Sequence, residues 1–203
     1  MSFDLHLGDC LEYMKSIPDG HFDAVITDPP YGLGDKLAER GGSIGGRAFI
    51  LYSENNWVDI VPEQEIFNEI FRISKTQIIC GGNYFSLPPS RGIIAWDKLQ
   101  SLPSMSAWEL IWTSLERPAK IIKMVSNNPE REHPTQKPVA LMKQLIVLSE
   151  AQTIFDPFMG SGTTGVACMQ LGRNFIGCEI DPNYYAIAER RIKQAAMQEV
   201  MFK

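Results

Sequence analysis

The segment Phe22-Asp-Ala-Val-Ile-Thr-Asp-Pro-Pro-Tyr31 runs from a short apolar stretch into an acid, two prolines and an aromatic. In an α/β protein such a strand end is where ligands bind. Asp28 can accept one proton of an amine. Proline has no amide donor but keeps its carbonyl, so the rigid Pro29-Pro30 turn can aim the Pro29 carbonyl at a second proton. Tyr31 would then stack on a planar group. This suits an amine whose lone pair is delocalised into a ring, such as that of adenine, because two acceptors favour a tetrahedral, nucleophilic nitrogen. A base reached in this way must leave the duplex stack, at a cost of ~a few kcal/mol that stacking and polar contacts offset. The plainer alternative is a proline-stiffened turn with a capping acid.

A second constellation lies far along the chain. Thr153-Ile-Phe-Asp-Pro-Phe-Met-Gly-Ser-Gly-Thr-Thr-Gly165 reads as a buried strand, a tight glycine turn and a helix beginning near Thr163. Gly160 and Gly162 would let the backbone approach a cofactor, and Gly165 would permit close helix packing. Glu179 follows Asp156 by 23 residues, at the tip of the strand Phe175-Ile-Gly-Cys178, where its carboxylate can accept from both hydroxyls of a ribose. The same G-x-G-x-x-G spacing also fits a nicotinamide enzyme. Against that, Asp156 places a negative charge where a pyrophosphate prefers only helix amides, and an acid there suits a cationic sulfonium cofactor better.

These residues need a scaffold that brings two strand ends together. Short β-rich runs near 3–7, 23–27, 76–80, 92–96, 109–113, 120–125, 152–156 and 174–178 alternate with helical patterns at 10–16, 63–73, 138–149, 163–171 and 182–198. The alternation predicts a largely parallel α/β sheet. The run 109–125 reads as an antiparallel pair at one edge. With 203 residues the chain fits one domain, 1–203. Between Gly32 and Trp57 six glycines and several basic residues predict a long loop, and the segment 32–62 is assigned as the substrate or target-recognition loop.

Composition limits the function classes. A hydrophobic fraction of 44% and a charged fraction of 21% are ordinary for a soluble protein, and no apolar run approaches a membrane span. The N-terminus has no basic region followed by an apolar stretch, so a cytoplasmic address is expected. The four cysteines, Cys10, Cys80, Cys168 and Cys178, are widely spaced, which reads as buried thiols, and no metal site is expected. A net charge of −5 argues against a blanket nucleic-acid binder, so any nucleic-acid face must be local.

Taken together, Asp28-Pro29-Pro30-Tyr31 followed by Phe158-x-Gly160-x-Gly162 resembles the amino-methyltransferases of DNA, in the β class of permuted motif order. The match runs from about Asp9 to Ile192. The resemblance implies a Rossmann-like methyltransferase fold, a mostly parallel seven-stranded sheet with one antiparallel strand. It implies S-adenosylmethionine as cofactor, S-adenosylhomocysteine as product, and double-stranded DNA as substrate, methylated at the N6 amine of adenine. Phe158, Gly160, Ser161, Gly162 and Thr163 would cradle the cofactor, with Glu179 on its ribose. The tip Gly8-Asp9-Cys10 would contact the cofactor's adenine, and the block from His133 through Thr135 and Lys137 to Pro138 would receive its methionine end. Physically, Thr135 would cap the following helix, and the helix N-terminus with Lys137 favours a carboxylate.

The sequence departs from many such relatives in lacking a sizeable recognition domain. Only about 32–62 and 97–132 are left for that task, where Lys36, Arg40, Arg47, Lys98, Arg117, Lys120, Lys123 and Arg131 suggest the DNA face. A homodimer would add a second DNA-contacting surface. The readings left open are N4-cytosine transfer, RNA or protein amide methylation, and a non-catalytic cofactor-binding module; no restriction partner can be named from the sequence.

Overall fold

Residues that alternate along a strand face opposite sides of a sheet, and here both sides are apolar. In a computed structural model describing residues 1–33, 59–99, 106–126 and 136–201, the central strands β2 (Phe22–Thr27), β3 (Ser74–Cys80) and β7 (Thr153–Asp156) are buried on both faces. Ala24, Ile26, Ile78, Cys80 and Ile154 belong to one core, Val25, Ile79 and Phe155 to the other. A sheet buried on both faces needs helices on both. The first core is covered by α3 (Val139–Ser149), α4 (Thr163–Gln170) and α5 (Pro182–Met201), the second by α1 (Cys10–Lys15) and α2 (Gln64–Ile73). On α2, Phe67, Ile70 and Ile73 recur every third residue and are completely or nearly completely buried, which gives that helix its apolar stripe.

Eight strands form one sheet in the order β1-β8-β7-β2-β3-β5-β4-β6, with β1 at Phe3–Leu7, β4 at Ile94–Asp97, β5 at Trp108–Thr113, β6 at Lys120–Lys123 and β8 at Asn174–Glu179. The sheet is mostly parallel, and β5 runs opposite to its neighbours β3 and β4. The α/β class and the single antiparallel strand are as expected, whereas the strand number is eight, not seven. The eighth is the four-residue β6, which pairs in parallel with β4. The expected antiparallel pair within 109–125 does not form. Both edges of β5 are already occupied, by β3 and β4, so β6 takes the open edge of β4 and sends Ile122 into the same core as Ile94 and Ile111.

Chain order reverses between β7 and β2, which lie side by side in parallel with Ala24 opposite Ile154 and Val25 opposite Phe155. This is a topological switch point, where the loops leaving neighbouring strands part and leave a crevice. The two motifs follow directly from these two strands. Among the described residues no helix is long and apolar enough to cross a membrane.

Candidate active site

A cleft of about 870 Å³ opens at this switch point. Its lining includes Asp9, Asp28, Pro29, Pro30, Tyr31, Lys137, Asp156, Phe158, Gly160, Ser161, Thr163 and Glu179. Segments more than a hundred residues apart in sequence thus share one cavity. Cys10 and Gly162 are not among the lining residues, and His133 and Thr135 lie outside the described residues, as does most of the expected recognition loop.

The join between the two halves is a buried hydrogen-bond cluster on Asp156. Its carboxylate accepts from Thr27 Oγ1 at 2.7 Å, from Thr164 Oγ1 at 2.6 Å and from the Phe158 amide at 3.1 Å. Burial pushes its pKa up to about 6, against the opposing effect of the Thr164, Thr27 and Phe158 hydrogen bonds. Asp156 therefore clamps the end of β2 to the glycine turn and to the first turn of α4.

In that turn Gly160 has φ of 51°, a left-handed conformation that side chains with a Cβ rarely adopt. Its amide donates to Glu179 Oε2 at 2.9 Å, while Glu179 Oε1 accepts from the Asp181 amide at 2.9 Å. Burial holds Glu179 above the usual carboxylate range, opposed by these backbone donors. A Cβ on Gly160 would meet no protein atom within 4 Å, so the backbone here borders open space. Gly162 is small for another reason: a Cβ there would lie 2.9 Å from Ala188 Cβ on α5, and its amide is already bonded to the Met159 carbonyl. Gly165 packs still closer, since its Cβ would sit 2.4 Å from Ile192 Cδ1. Ser161 is held by Arg191 of α5, which donates to its carbonyl at 2.5 Å and to its hydroxyl at 2.9 Å.

At the other wall, Tyr31 donates its hydroxyl to Asp28 Oδ1 at 2.5 Å and stacks on Tyr84, with centroids 4.7 Å apart and planes 16° from parallel. The Tyr31 ring passes directly over Gly81, where no Cβ could fit. Asp59 accepts from the Gly32 and Leu33 amides at 2.9 and 2.5 Å, which ties the end of the Pro-Pro-Tyr segment to the chain entering α2. Asp9 caps α1, accepting from the Leu11 and Glu12 amides, and Cys10 is a buried thiol, which burial pushes up to about 12.

Lys137 stands against the catalytic candidate itself. Its Nζ donates to Asp28 Oδ1 at 2.8 Å and Oδ2 at 2.7 Å, and to the Tyr31 hydroxyl at 3.2 Å. It also lies 3.3 Å from Glu109 Oε2, and Glu109 Oε1 is paired with Lys98 at 2.5 Å. Burial, the largest influence on each group, pushes Asp28 above the usual carboxylate range against the pull of Lys137. For Lys137 burial is outweighed by the Asp28 and Glu109 charges, so the ammonium is held firmly protonated. In Glu109 burial is likewise outweighed, by Lys137 and Lys98, and the carboxyl sits below its ordinary value.

Two sequence expectations change here. The helix after Lys137 begins at Val139 with Pro138 as its N-cap and no side-chain cap bond, so Thr135 is not the cap; the fixed φ of proline, −61° here, sets that start. Lys98, expected on a DNA face, is only 6% exposed and is neutralised by Glu109. Arg117 is paired with Glu150, and Lys120 and Lys123 are exposed on the edge strand β6. Lys36, Arg40, Arg47 and Arg131 lie outside the described residues.

Comparison with known proteins gives the family and the fold. The family model described as DNA methylase, for N6 and N4 transfer, matches residues 62–190. The chain belongs to the N6/N4 DNA methylase family. The type II methyltransferase M2.MboI of Moraxella bovis is 26% identical to this methylase over 94% of the chain and 87% of its own length. Among solved structures, the Thermus thermophilus protein TTHA0409, complexed with S-adenosyl-L-methionine, matches with a TM-score of 0.62 and 20% identity over 97% of this chain and 96% of that one. The cytosine-N4-specific PvuII DNA methyltransferase matches with a TM-score of 0.59 and 17% identity over 98% and 92%. At these identities the structural likeness establishes the fold, and the methylase has the α/β architecture of S-adenosylmethionine-dependent DNA methyltransferases.

Sequence reasoning missed Glu109, Gly81, Tyr84, Asp59 and Arg191. Glu109 left a signal: it is a single charge within the apolar strand Trp108-Glu-Leu-Ile-Trp-Thr113. A charge in such a run is costly to bury and asks for a partner. The other four act through tertiary contacts that no local pattern announces.

Proposed function

We propose that this methylase transfers a methyl group from S-adenosylmethionine to the N6 amine of adenine in double-stranded DNA, with S-adenosylhomocysteine as product. The observation that carries the reading is one cleft holding the Asp28 carboxylate, the Pro29-Pro30-Tyr31 turn and the glycine turn from Phe158 to Thr163.

The residues present fit that cofactor. Asp9, Asp28, Asp59, Glu63, Asp156, Glu179 and Asp181 line the cleft, and its one described cation, Lys137, is already matched by two carboxylates. Such a field favours a cationic ligand and disfavours a pyrophosphate. Each Glu179 oxygen accepts one backbone donor and retains acceptor capacity for a diol. When bound, the cofactor supplies an electrophilic methyl group on a sulfonium centre that leaves as a neutral thioether.

The chain's own residues supply acceptors, positioning and exclusion of water. Asp28 accepts one amine proton and the Pro29 carbonyl the other, which raises electron density on the nitrogen as its bond to the methyl carbon forms. Once methylated, the nitrogen would lose one proton through Asp28 to solvent. Acceleration comes from orientation and preorganised charge. Cytosine N4 offers the same amino group to the same acceptors and is the competing product.

The role of Asp28 is tested by Asp28→Ala. Turnover should fall at least a thousandfold while cofactor affinity, read by calorimetry, stays within about threefold, because the lost contact is to the nucleophile. Turnover within tenfold of the parent chain would remove Asp28 from the mechanism.

A further inference from the structure

Asp28 already receives three hydrogen bonds and shares its charge with one ammonium, which leaves it a weak acceptor for an incoming amine. Oδ1 receives Tyr31 and Lys137, and Oδ2 receives Lys137. Release of Lys137 would free both oxygens of its hydrogen bonds and return the full negative charge of Asp28 to the target amine. Lys137 has somewhere to go: Glu109 Oε2 is buried, receives no hydrogen bond and lies 3.3 Å from Nζ. A charge-assisted contact is ordinarily about 2.7–2.9 Å, so less than an ångström of movement completes the pair.

We propose that Lys137 is a positioning residue for methyl transfer that changes partners, bound to Asp28 until the target amine claims the Asp28 oxygens and then taken over by Glu109. The inference rests on the reading of Asp28 as the acceptor for that amine.

The surroundings favour this exchange over simple loss of the ion pair. Lys137 and Glu109 side chains are 7% and 19% exposed, and leaving a buried ammonium without a close counter-charge is strongly unfavourable. A second carboxylate placed in advance keeps the cation paired throughout. Glu109 cannot follow Lys137 toward Asp28, because the buried Lys98 holds its other oxygen from the end of β4. Two carboxylates and two ammonium groups make the cluster neutral, so the exchange moves a charge by a fraction of an ångström without creating one. The groups that act electrostatically with Asp28 are Lys137 before α3, Glu109 on β5, Tyr31 beyond β2, Cys80 at the end of β3 and Asp156 on β7.

The test uses the full chain as Lys137→Met, Lys137→Arg and Glu109→Gln. The titration of Asp28 is followed by carboxyl-carbon NMR before DNA is added, with Asp28→Asn assigning the signal, and kcat/KM for DNA is then measured against pH. Lys137→Met should raise the Asp28 midpoint and move the acid limb of the rate profile to higher pH, and Lys137→Arg should restore both. Glu109→Gln should lower the midpoint, since a like charge is gone, yet reduce kcat/KM at neutral pH about tenfold, because Lys137 has lost its second counter-charge. Slower transfer with a more acidic Asp28 is the signature of the exchange. Parent-level kcat/KM in Glu109→Gln, or an Asp28 midpoint unmoved by Lys137→Met, overturns the proposal. Failure of the parent chain to methylate DNA contradicts the functional reading instead, and the titration tells the two apart because it needs no DNA.

Discussion

Replacing Gly81 by alanine puts a methyl group where the ring of Tyr31 already lies. The added Cβ would sit 2.3 Å from Tyr31 Cε1 and 2.5 Å from Cζ, far inside van der Waals contact, on a residue with φ of 67°. Adopting that backbone conformation costs a side chain about 1–2 kcal/mol. Overpacking a filled site adds about 1–3 kcal/mol. Relief requires the ring to move, and Tyr31 is held by its Tyr84 stack and its hydrogen bond to Asp28. The expected loss is about 2–5 kcal/mol by urea denaturation, read at unchanged m-value. Turnover in the folded fraction should fall at least tenfold, because the tyrosine that fixes Asp28 is displaced. A loss below about 0.5 kcal/mol with parent turnover would show that the Gly81–Tyr31 contact does not position the site.

Gly160→Val should weaken cofactor binding at least thirtyfold by calorimetry, since its side chain would project into the cleft from a strained backbone; a folded variant with parent affinity would refute the assignment of that turn. Glu179→Ala removes charge-assisted hydrogen bonds worth about 1.5–3 kcal/mol, so cofactor affinity should drop roughly ten- to hundredfold, and an unchanged dissociation constant would take the acid off the ribose. Asp156, with an ordinary value of 3.8 and a folded value of about 6, binds more protons in the folded chain between those limits. Its contribution to stability therefore falls as pH rises from about 4 to 6, by a total of about 3 kcal/mol, and is constant above. Asp156→Asn should flatten that part of the melting-temperature profile; an equally steep slope in the variant would assign it to other groups.

What the sequence made legible was local. The strand-turn-helix around Gly160 and the strand ending at Asp28 each carry their geometry in a few consecutive residues, and glycine, proline and alternation are strong local signals. Placement of the last three strands to be ordered was not local. Consecutive strands with a short connection commonly pair, yet β5 was already paired on both edges, a fact set by β3 and β4 rather than by residues 114–119. The same limit hid the charge cluster. Lys137 stood out as a cation suited to a cofactor carboxylate, but its contact with Asp28 spans 109 positions and its second partner sits on the antiparallel strand. Burial likewise separates the basic residues: Lys98 and Lys123 look alike in sequence, and only the fold shows that one is paired inside and the other exposed on an edge.

Methyl transfer to adenine is read from the identity of its product. The chain is incubated with S-adenosylmethionine labelled in the methyl group and with unmethylated duplex DNA, the DNA is digested to nucleosides, and the products are resolved by mass spectrometry. Labelled N6-methyladenine is expected, and it should be absent from the Asp28→Ala reaction. Labelled N4-methylcytosine in its place would contradict the base assignment, and no labelled nucleoside from a chain that binds the cofactor would contradict methyl transfer to DNA.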